Sequence, residues 1–221
     1  MGRFKPSTKT KFTNGTPPPW LGFQDAQIIS FEDKSNDYNW ADLYLELKLN
    51  TKGSEYPVTM NIAGQFDRDD EEKIIECSLT RKLYSLFNAI GFGGGPDEES
   101  GKLLTAADDT IEDVSLFFNN NYAAGDSPEF PYTIYVYKVK VMDKTSGEEK
   151  VWTRVDPRMA KTANAKQLSG FMNYIKWAKE NAVITEYIPT QEERLGDDAT
   201  SGPWDTKETT QTSTPSYRAN K

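Results

Sequence analysis

Aromatic and cationic side chains are concentrated between residues 132 and 166 of this chain. YTIYVYKVKVM (132–142) and KVWTRV (150–155) supply tyrosines, a tryptophan and cations, and further cations follow them. Aromatic rings stack on nucleic-acid bases, while lysine and arginine neutralise phosphates. The pattern predicts a binding surface for a polyanion whose bases can stack. Its predicted residues are Tyr132, Lys138, Lys140, Trp152, Arg154, Arg158, Lys161 and Lys166.

The alternation along 132–142 divides this predicted strand into two faces. The face that carries Tyr135 and Tyr137 is the more apolar, so we expect it to pack in the core. The face that carries Tyr132, Lys138 and Lys140 is then left for the ligand. Because tyrosine is also a favoured strand residue, a purely structural hairpin stays open as the alternative.

The sequence argues against most hydrolytic and metal chemistry. It contains no histidine and one cysteine, Cys77, so Ser-His-Asp and Cys-His catalysis and an intrachain disulfide are excluded. The acidic run FDRDDEE (66–72) lacks the turn glycine and the final glutamate of a calcium loop. A Pro96-Asp97 pair and the distant Glu148-x-Lys150 only superficially match a metal-nuclease pattern. We therefore predict no catalytic residue, no metal site and no cofactor.

The charge of the chain limits its partners. Its 221 residues carry a net charge of −8, which argues against non-specific binding of duplex DNA but leaves a local cationic surface open. No apolar run is long enough for a transmembrane helix, and the N-terminus lacks the apolar segment of a secretory signal. We expect a cytoplasmic protein that does not enter membranes.

The chain divides into three predicted segments. Residues 1–24 form a basic arm that contains Pro17–Pro19, and residues 25–188 form the folded domain. Residues 189–221 form a flexible tail, with five acids between Glu192 and Asp205 before a Ser/Thr-rich end.

Within the folded domain, hydrophobic periodicity predicts strands and two helices. The predicted strands are 25–33, a hairpin formed by NWADLYLELKLN and YPVTMNIAG, and a second hairpin, 132–155. The first predicted helix follows Ser78, its expected N-cap, and the second begins near residue 165. Residues 93–130 are predicted to be mostly loop, with a short helix and a strand such as DVSLFF (113–118). About five antiparallel strands with two helices indicate a mainly β fold, an OB-fold-like barrel.

Three segments together resemble a known family. DLYLELKLNTKGSEYPVTMNI, RKLYSLFNAIGFGGG and VYKVKV…KVWTRVDPRMA are similar, in order and texture, to small bacteriophage single-stranded-DNA-binding proteins of OB fold. The resemblance covers residues 25–180. It implies an OB barrel and sequence-independent binding of single strands. The leading hypothesis is therefore a non-enzymatic protein that binds single-stranded DNA in phage-like replication or recombination. The resemblance also allows a homodimer and recruitment of replication proteins by the tail, although this tail ends in PSYRANK rather than in acids.

A second class of function stays open. In a virion structural or assembly protein without nucleic-acid activity, the proline-containing arm and the Ser/Thr-rich tail would be docking elements. The two classes differ in a measurable way, because an assembly protein has no single-strand affinity that falls with salt.

Overall fold

The computed structural model describes residues 21–125, 127–143 and 147–188. The chain divides into two units, Met1–Tyr187 and Ile188–Lys221, and every helix and strand below belongs to the first. No helix in these ranges is both long enough and apolar enough to cross a membrane. The predicted tail, 189–221, and most of the predicted arm, 1–24, lie outside the described residues.

The fold is mainly β, as predicted, and its strand pairs are antiparallel. The strands are β1 (Gly22–Asp33), β2 (Leu43–Thr51), β3 (Val58–Gly64), β4 (Gly95–Pro96), β5 (Leu103–Leu104), β6 (Tyr132–Met142), β7 (Glu149–Val155) and β8 (Ala160–Lys161). The helices are α1 (Ser78–Ile90), α2 (Val114–Tyr122) and α3 (Ala165–Glu180), and a 3-10 turn spans Ser35–Asp37.

The main sheet has the order β3-β2-β1-β6-β7, and β8 pairs with the start of β6. Strand β1 begins before the predicted residue 25, because Gly22 pairs with Val136 of β6 and Gln24 pairs with Ile134. Residues 22–24 therefore belong to the sheet and not to the arm. Strands β4 and β5 form a separate two-stranded sheet.

The sheet is open, which corrects the predicted closed barrel. Its edge strands β3 and β7 approach each other, with Cα atoms within 8 Å, but the sheet does not close through hydrogen bonds between them. The carbonyl of Gly64 accepts from Asp42 on the β2 side, so the carbonyl of Ala63 points to the free edge. Lys82 Nζ of α1 donates to that carbonyl at 3.1 Å. A lysine side chain thus occupies an acceptor that a closing strand would use.

Helix α1 packs against the sheet and ends as the sequence predicts. Its apolar stripe, which includes Leu83, Leu86 and Phe87, is buried in the main hydrophobic cluster. Gly91 adopts φ +78°, the left-handed conformation that suits a glycine C-cap. The N-cap is Cys77 rather than the predicted Ser78, and its N–H donates to Thr80 Oγ1 at 2.8 Å.

Helix α2 replaces the strand predicted at DVSLFF. The carboxylate of Asp113 accepts from the N–H of Leu116 at 2.8 Å and caps the helix. The apolar run itself is too short for its periodicity to distinguish a helix from a strand. Phe118 is fully buried and its ring lies 5.3 Å from that of Phe31. The amide of Asn119 accepts from the N–H of Phe31 and donates to its carbonyl, at 2.9 and 2.7 Å. The helix is therefore fixed by β1, which lies far from it in sequence.

Strand β6 is covered on both faces over its first half, which corrects the predicted division of its tyrosines. Ile134 and Val136 belong to the main cluster, and Tyr132 packs against that cluster instead of lying on an open ligand face. Tyr135 is buried, as predicted, but in a second cluster with Phe171 of α3. The sequence shows the alternation but not that a helix covers the second face.

Replacement of Phe118 by alanine tests whether α2 belongs to the core. The ring is fully buried and contacts other buried rings, so Phe118→Ala is expected to lower the free energy of unfolding by ~3–5 kcal/mol. Leu116→Ala, at an exposed position of the same helix, is the control and is expected to change it by less than about 0.5 kcal/mol. Urea unfolding measures both, and equal small effects would contradict the packing of α2.

Candidate nucleic-acid interface

A groove lies between the two edge strands β3 and β7. Strand β7 presents an exposed row from Glu149 to Arg154, and Trp152 and Arg154 point to the same side of it. The groove has a volume of about 880 Å³. It is lined by Tyr44, Pro57, Val58, Thr59, Asn61, Lys82, Tyr137, Trp152, Thr153, Arg154, Val155 and Pro157.

The lining combines aromatic rings with cations. Tyr44, Tyr137 and Trp152 supply the rings, and Trp152 is 54% exposed. Lys82 and Arg154 supply the positive charges. Among the described residues that line the groove, none is acidic, although the whole chain carries a net charge of −8. The groove is thus a local site where an anion with flat, stackable groups meets attraction instead of repulsion.

Lys82 links the groove to the interior of the fold. Burial lowers the pKa of Lys82, the positive charge of Arg158 lowers it further, and the carboxylate of Asp156 opposes both effects. Its hydrogen bond to Ala63 fixes the ammonium group at the β3 edge. The position of this cation is therefore set by the protein before any ligand binds.

Asp156 is a buried carboxylate at the end of β7, with 2% of its surface exposed. Its N–H donates to the carbonyl of Tyr135 at 2.9 Å, and its Oδ1 accepts from the N–H of Arg158 at 3.0 Å. Burial raises the pKa of Asp156 to about 6, against the opposing effects of Arg158 and Lys82. It lies behind the groove and balances part of the charge of these two cations.

The two predicted lysines of β6 do not line this groove. Lys140 Nζ lies 2.7 Å from Glu149 Oε2 and 5.5 Å from the centre of the Tyr187 ring. Lys138 is half-buried, and its carbonyl accepts from the N–H of Tyr187 at 2.7 Å. Lys140 lines a separate pocket of about 410 Å³ with Tyr187 and Glu186, and this pocket adjoins the groove through Tyr137 and Arg154, which line both.

The remaining predicted cations lie in other surroundings. The guanidinium carbon of Arg158 lies 3.5 Å from the centre of the Tyr174 ring, in a pocket between α1 and α3. Lys161 and Lys166 are exposed, on β8 and in the first turn of α3. The structure therefore brings together Trp152 and Arg154 but not all eight predicted residues in one site.

Sequence reasoning missed the opposite wall of the groove. The alternation of β2 places Tyr44 away from the buried leucines, and the alternation of β3 places Thr59 and Asn61 there too. That signal marks an outward face but does not show that β7 lies opposite it. Lys82 lies within an amphipathic helix, and no local pattern separates it from an ordinary surface lysine.

The acidic residues considered as metal ligands have structural roles in their loops. Oδ1 of Asp69 accepts from the N–H groups of Glu71 and Lys73, each at 2.9 Å. The carboxylate of Asp97 accepts from Ser100 N–H and Oγ, each at 2.7 Å. No group of three or more Asp, Glu, Cys or His side chains in the described part of the chain is arranged to hold a metal ion.

Compared with protein-family models, with curated proteins and with solved structures, the chain matches none of them.

The buried carboxylate gives a pH dependence that can be measured. Between about pH 4 and pH 6 the folded protein holds the Asp156 proton and the unfolded chain does not, so this group lowers stability as pH rises through that range. Between pH 5 and pH 7, the unfolding free energy of the wild type is expected to fall by about 1 to 1.5 kcal/mol more than that of Asp156→Asn. Urea unfolding of both proteins at the two pH values measures the difference, since the other carboxylates are common to both. A constant difference would show that Asp156 titrates normally.

Proposed function

We propose that this protein binds single-stranded DNA without sequence preference in the groove between β3 and β7, and that it is not an enzyme. The observation that carries the proposal is the groove lining, where the exposed Trp152 and the half-buried Tyr44 lie with Lys82 and Arg154. In an acidic chain, such a concentration of rings and cations suits an anionic ligand with flat bases.

Base stacking is the reason why we propose single-stranded rather than duplex DNA as the ligand. A base on an aromatic ring contributes ~1–3 kcal/mol and needs no particular sequence, since every base has a π-face. In a duplex the faces of the bases are covered by their neighbours, and the protein has to bind through the phosphates instead. A net charge of −8 disfavours such binding over a broad surface. The groove thus favours unpaired bases.

The polar groups of the groove support binding without base discrimination. Thr59, Asn61 and Thr153 line it together with two cations. Short hydroxyl and amide side chains suit phosphates and sugars, which carry no sequence information directly. Lys82 and Arg154 neutralise phosphates, so affinity falls as salt rises.

The wider biological setting follows from the resemblance of the sequence to phage proteins. In that setting the protein covers single strands during replication or recombination in the host-cell cytoplasm. Recruitment of replication proteins by the tail, 189–221, stays a prediction, because the tail lies outside the described residues.

Two substitutions on β7 test the proposed groove. Trp152→Ala is expected to weaken oligo-dT binding by ~1–3 kcal/mol with an unchanged salt slope, because it removes a stacking ring. Arg154→Gln is expected to flatten the plot of log K against log salt concentration by about 0.7, the value for one lost phosphate contact on a single strand. Fluorescence anisotropy of a labelled oligonucleotide measures both effects.

The controls separate binding from folding. Trp152 is mostly exposed, so Trp152→Ala is expected to leave the urea midpoint nearly unchanged. Lys176→Gln removes an exposed charge from α3 and is expected to keep the wild-type salt slope. Wild-type affinity and slope in both β7 variants would exclude the groove as the interface. If the wild type itself binds no single strand, the assembly-protein hypothesis takes the lead.

A further inference from the structure

Three aromatic rings form a surface cluster beside the groove. Tyr38 and Trp40 lie between β1 and β2, and Tyr44 lies on β2. The rings of Tyr38 and Tyr44 are stacked, with centres 4.6 Å apart and planes 18° from parallel. The centre of the Trp40 ring lies 6.1 Å from those of both tyrosines. We call Tyr38, Trp40 and Tyr44 the aromatic platform.

The platform is not part of the hydrophobic core. Trp40 is 54% exposed and Tyr38 is 39% exposed, and neither belongs to a buried cluster. Contiguous exposed apolar surface on a soluble protein often marks a binding site. Three rings in mutual contact at the surface therefore call for a function other than packing.

The local backbone holds the platform in place. Ser35 begins a 3-10 turn, and its N–H donates to Asp33 Oδ1 at 2.9 Å. Its Oγ accepts from the N–H of Tyr44 at 3.0 Å, and the carbonyl of Tyr38 accepts from Ala41 at 3.2 Å. The loop and β2 are thus tied together, so the rings are positioned in advance and little ordering is needed on binding.

Tyr44 connects the platform to the groove. It lines the groove with Trp152 and also stacks on Tyr38. The acid on the outer face of β2, Glu46, lies 3.0 Å from Lys34 Nζ, and Glu32 of β1 lies 3.4 Å from the same nitrogen, so one lysine compensates part of the charge of both acids. A polyanion that runs along the groove and continues over Tyr44 therefore meets Glu46 with its charge partly compensated by Lys34.

We propose that the aromatic platform extends the single-strand site beyond the groove, and that Trp40 stacks on a base of the strand that leaves the groove past Tyr44. This inference rests on the proposed function. It assigns a base-binding role to residues on the β1–β2 connection, outside the cationic region of the sequence. An apolar peptide is the other ligand that exposed rings can hold, but the continuity with a groove that carries Lys82 and Arg154 favours the strand.

Oligonucleotide length separates the platform from the groove. We would measure anisotropy of labelled oligo-dT from about 4 to about 16 nucleotides, the range of site sizes of OB-fold proteins that bind single strands. Trp40→Ala is expected to match the wild type on the shortest strands that bind. On strands long enough to reach the platform, it is expected to bind about 5- to 150-fold more weakly, the loss of one stacked base.

Two further variants act as controls. Trp177→Ala removes a similarly exposed tryptophan (51% exposed) from α3, where it lies beside Tyr174, and is expected to keep wild-type affinity at every length. Trp40→Phe retains a stacking ring and is expected to restore most of the long-strand affinity. Unfolding midpoints of all variants verify that the fold is kept.

The outcomes distinguish the two proposals. A wild type that binds no strand of any length contradicts the proposed function itself. A wild type that binds, with Trp40→Ala unchanged at all lengths, overturns the role of the platform and leaves the peptide as its ligand. An equal loss on short and long strands also overturns it, since Trp40 would then act through the groove or the fold.

Discussion

The hydrogen bond from Lys82 to the carbonyl of Ala63 is the interaction on which the site depends. It ties α1 to the edge of β3 and occupies a backbone acceptor that a neighbouring strand would otherwise use. The edges β3 and β7 approach each other without pairing, and a groove lies between them. The same ammonium group lines the groove, so one side chain both contacts the unpaired edge of β3 and supplies charge to the opening. Its counter-charge, Asp156, is buried behind it at the end of β7.

The rest of the fold holds the two walls of the groove in place. The first half of β6 is buried on both faces, by the main cluster on one side and by α3 on the other. It therefore provides a fixed base from which the exposed hairpin β6–β7 projects. On the opposite wall, the alternating leucines of β2 bury one face, and Tyr44 is consequently turned outward. The fold thus holds rings and cations at its open edge, and these are the groups on which the proposed base stacking depends.

Elements whose hydrophobic pattern lies within one short segment, such as β2 and α1, could be predicted from the sequence. The leucines of β2, the apolar stripe of α1 and the C-cap at Gly91 follow from neighbouring residues alone. The errors concern contacts between distant parts of the chain. Helix α2 is fixed to β1 by the hydrogen bonds between its Asn119 and Phe31. Tyr132 packs against the main cluster, and a second cluster covers the other face of β6. Trp152 and Arg154 were two of the eight predicted binding residues, but Tyr44 and Lys82 lie in distant segments, and no local pattern shows that these segments face β7.

The most direct test of the account compares single-stranded with duplex DNA on the unmodified protein. Oligo-dT and a duplex of equal length would be titrated at two salt concentrations, with tryptophan fluorescence and anisotropy as readouts. We expect the single strand to bind at least about tenfold tighter, with a log–log salt slope of about 0.7 for each neutralised phosphate. Equal affinity for the two forms, or no salt-dependent affinity for the single strand, would contradict the account.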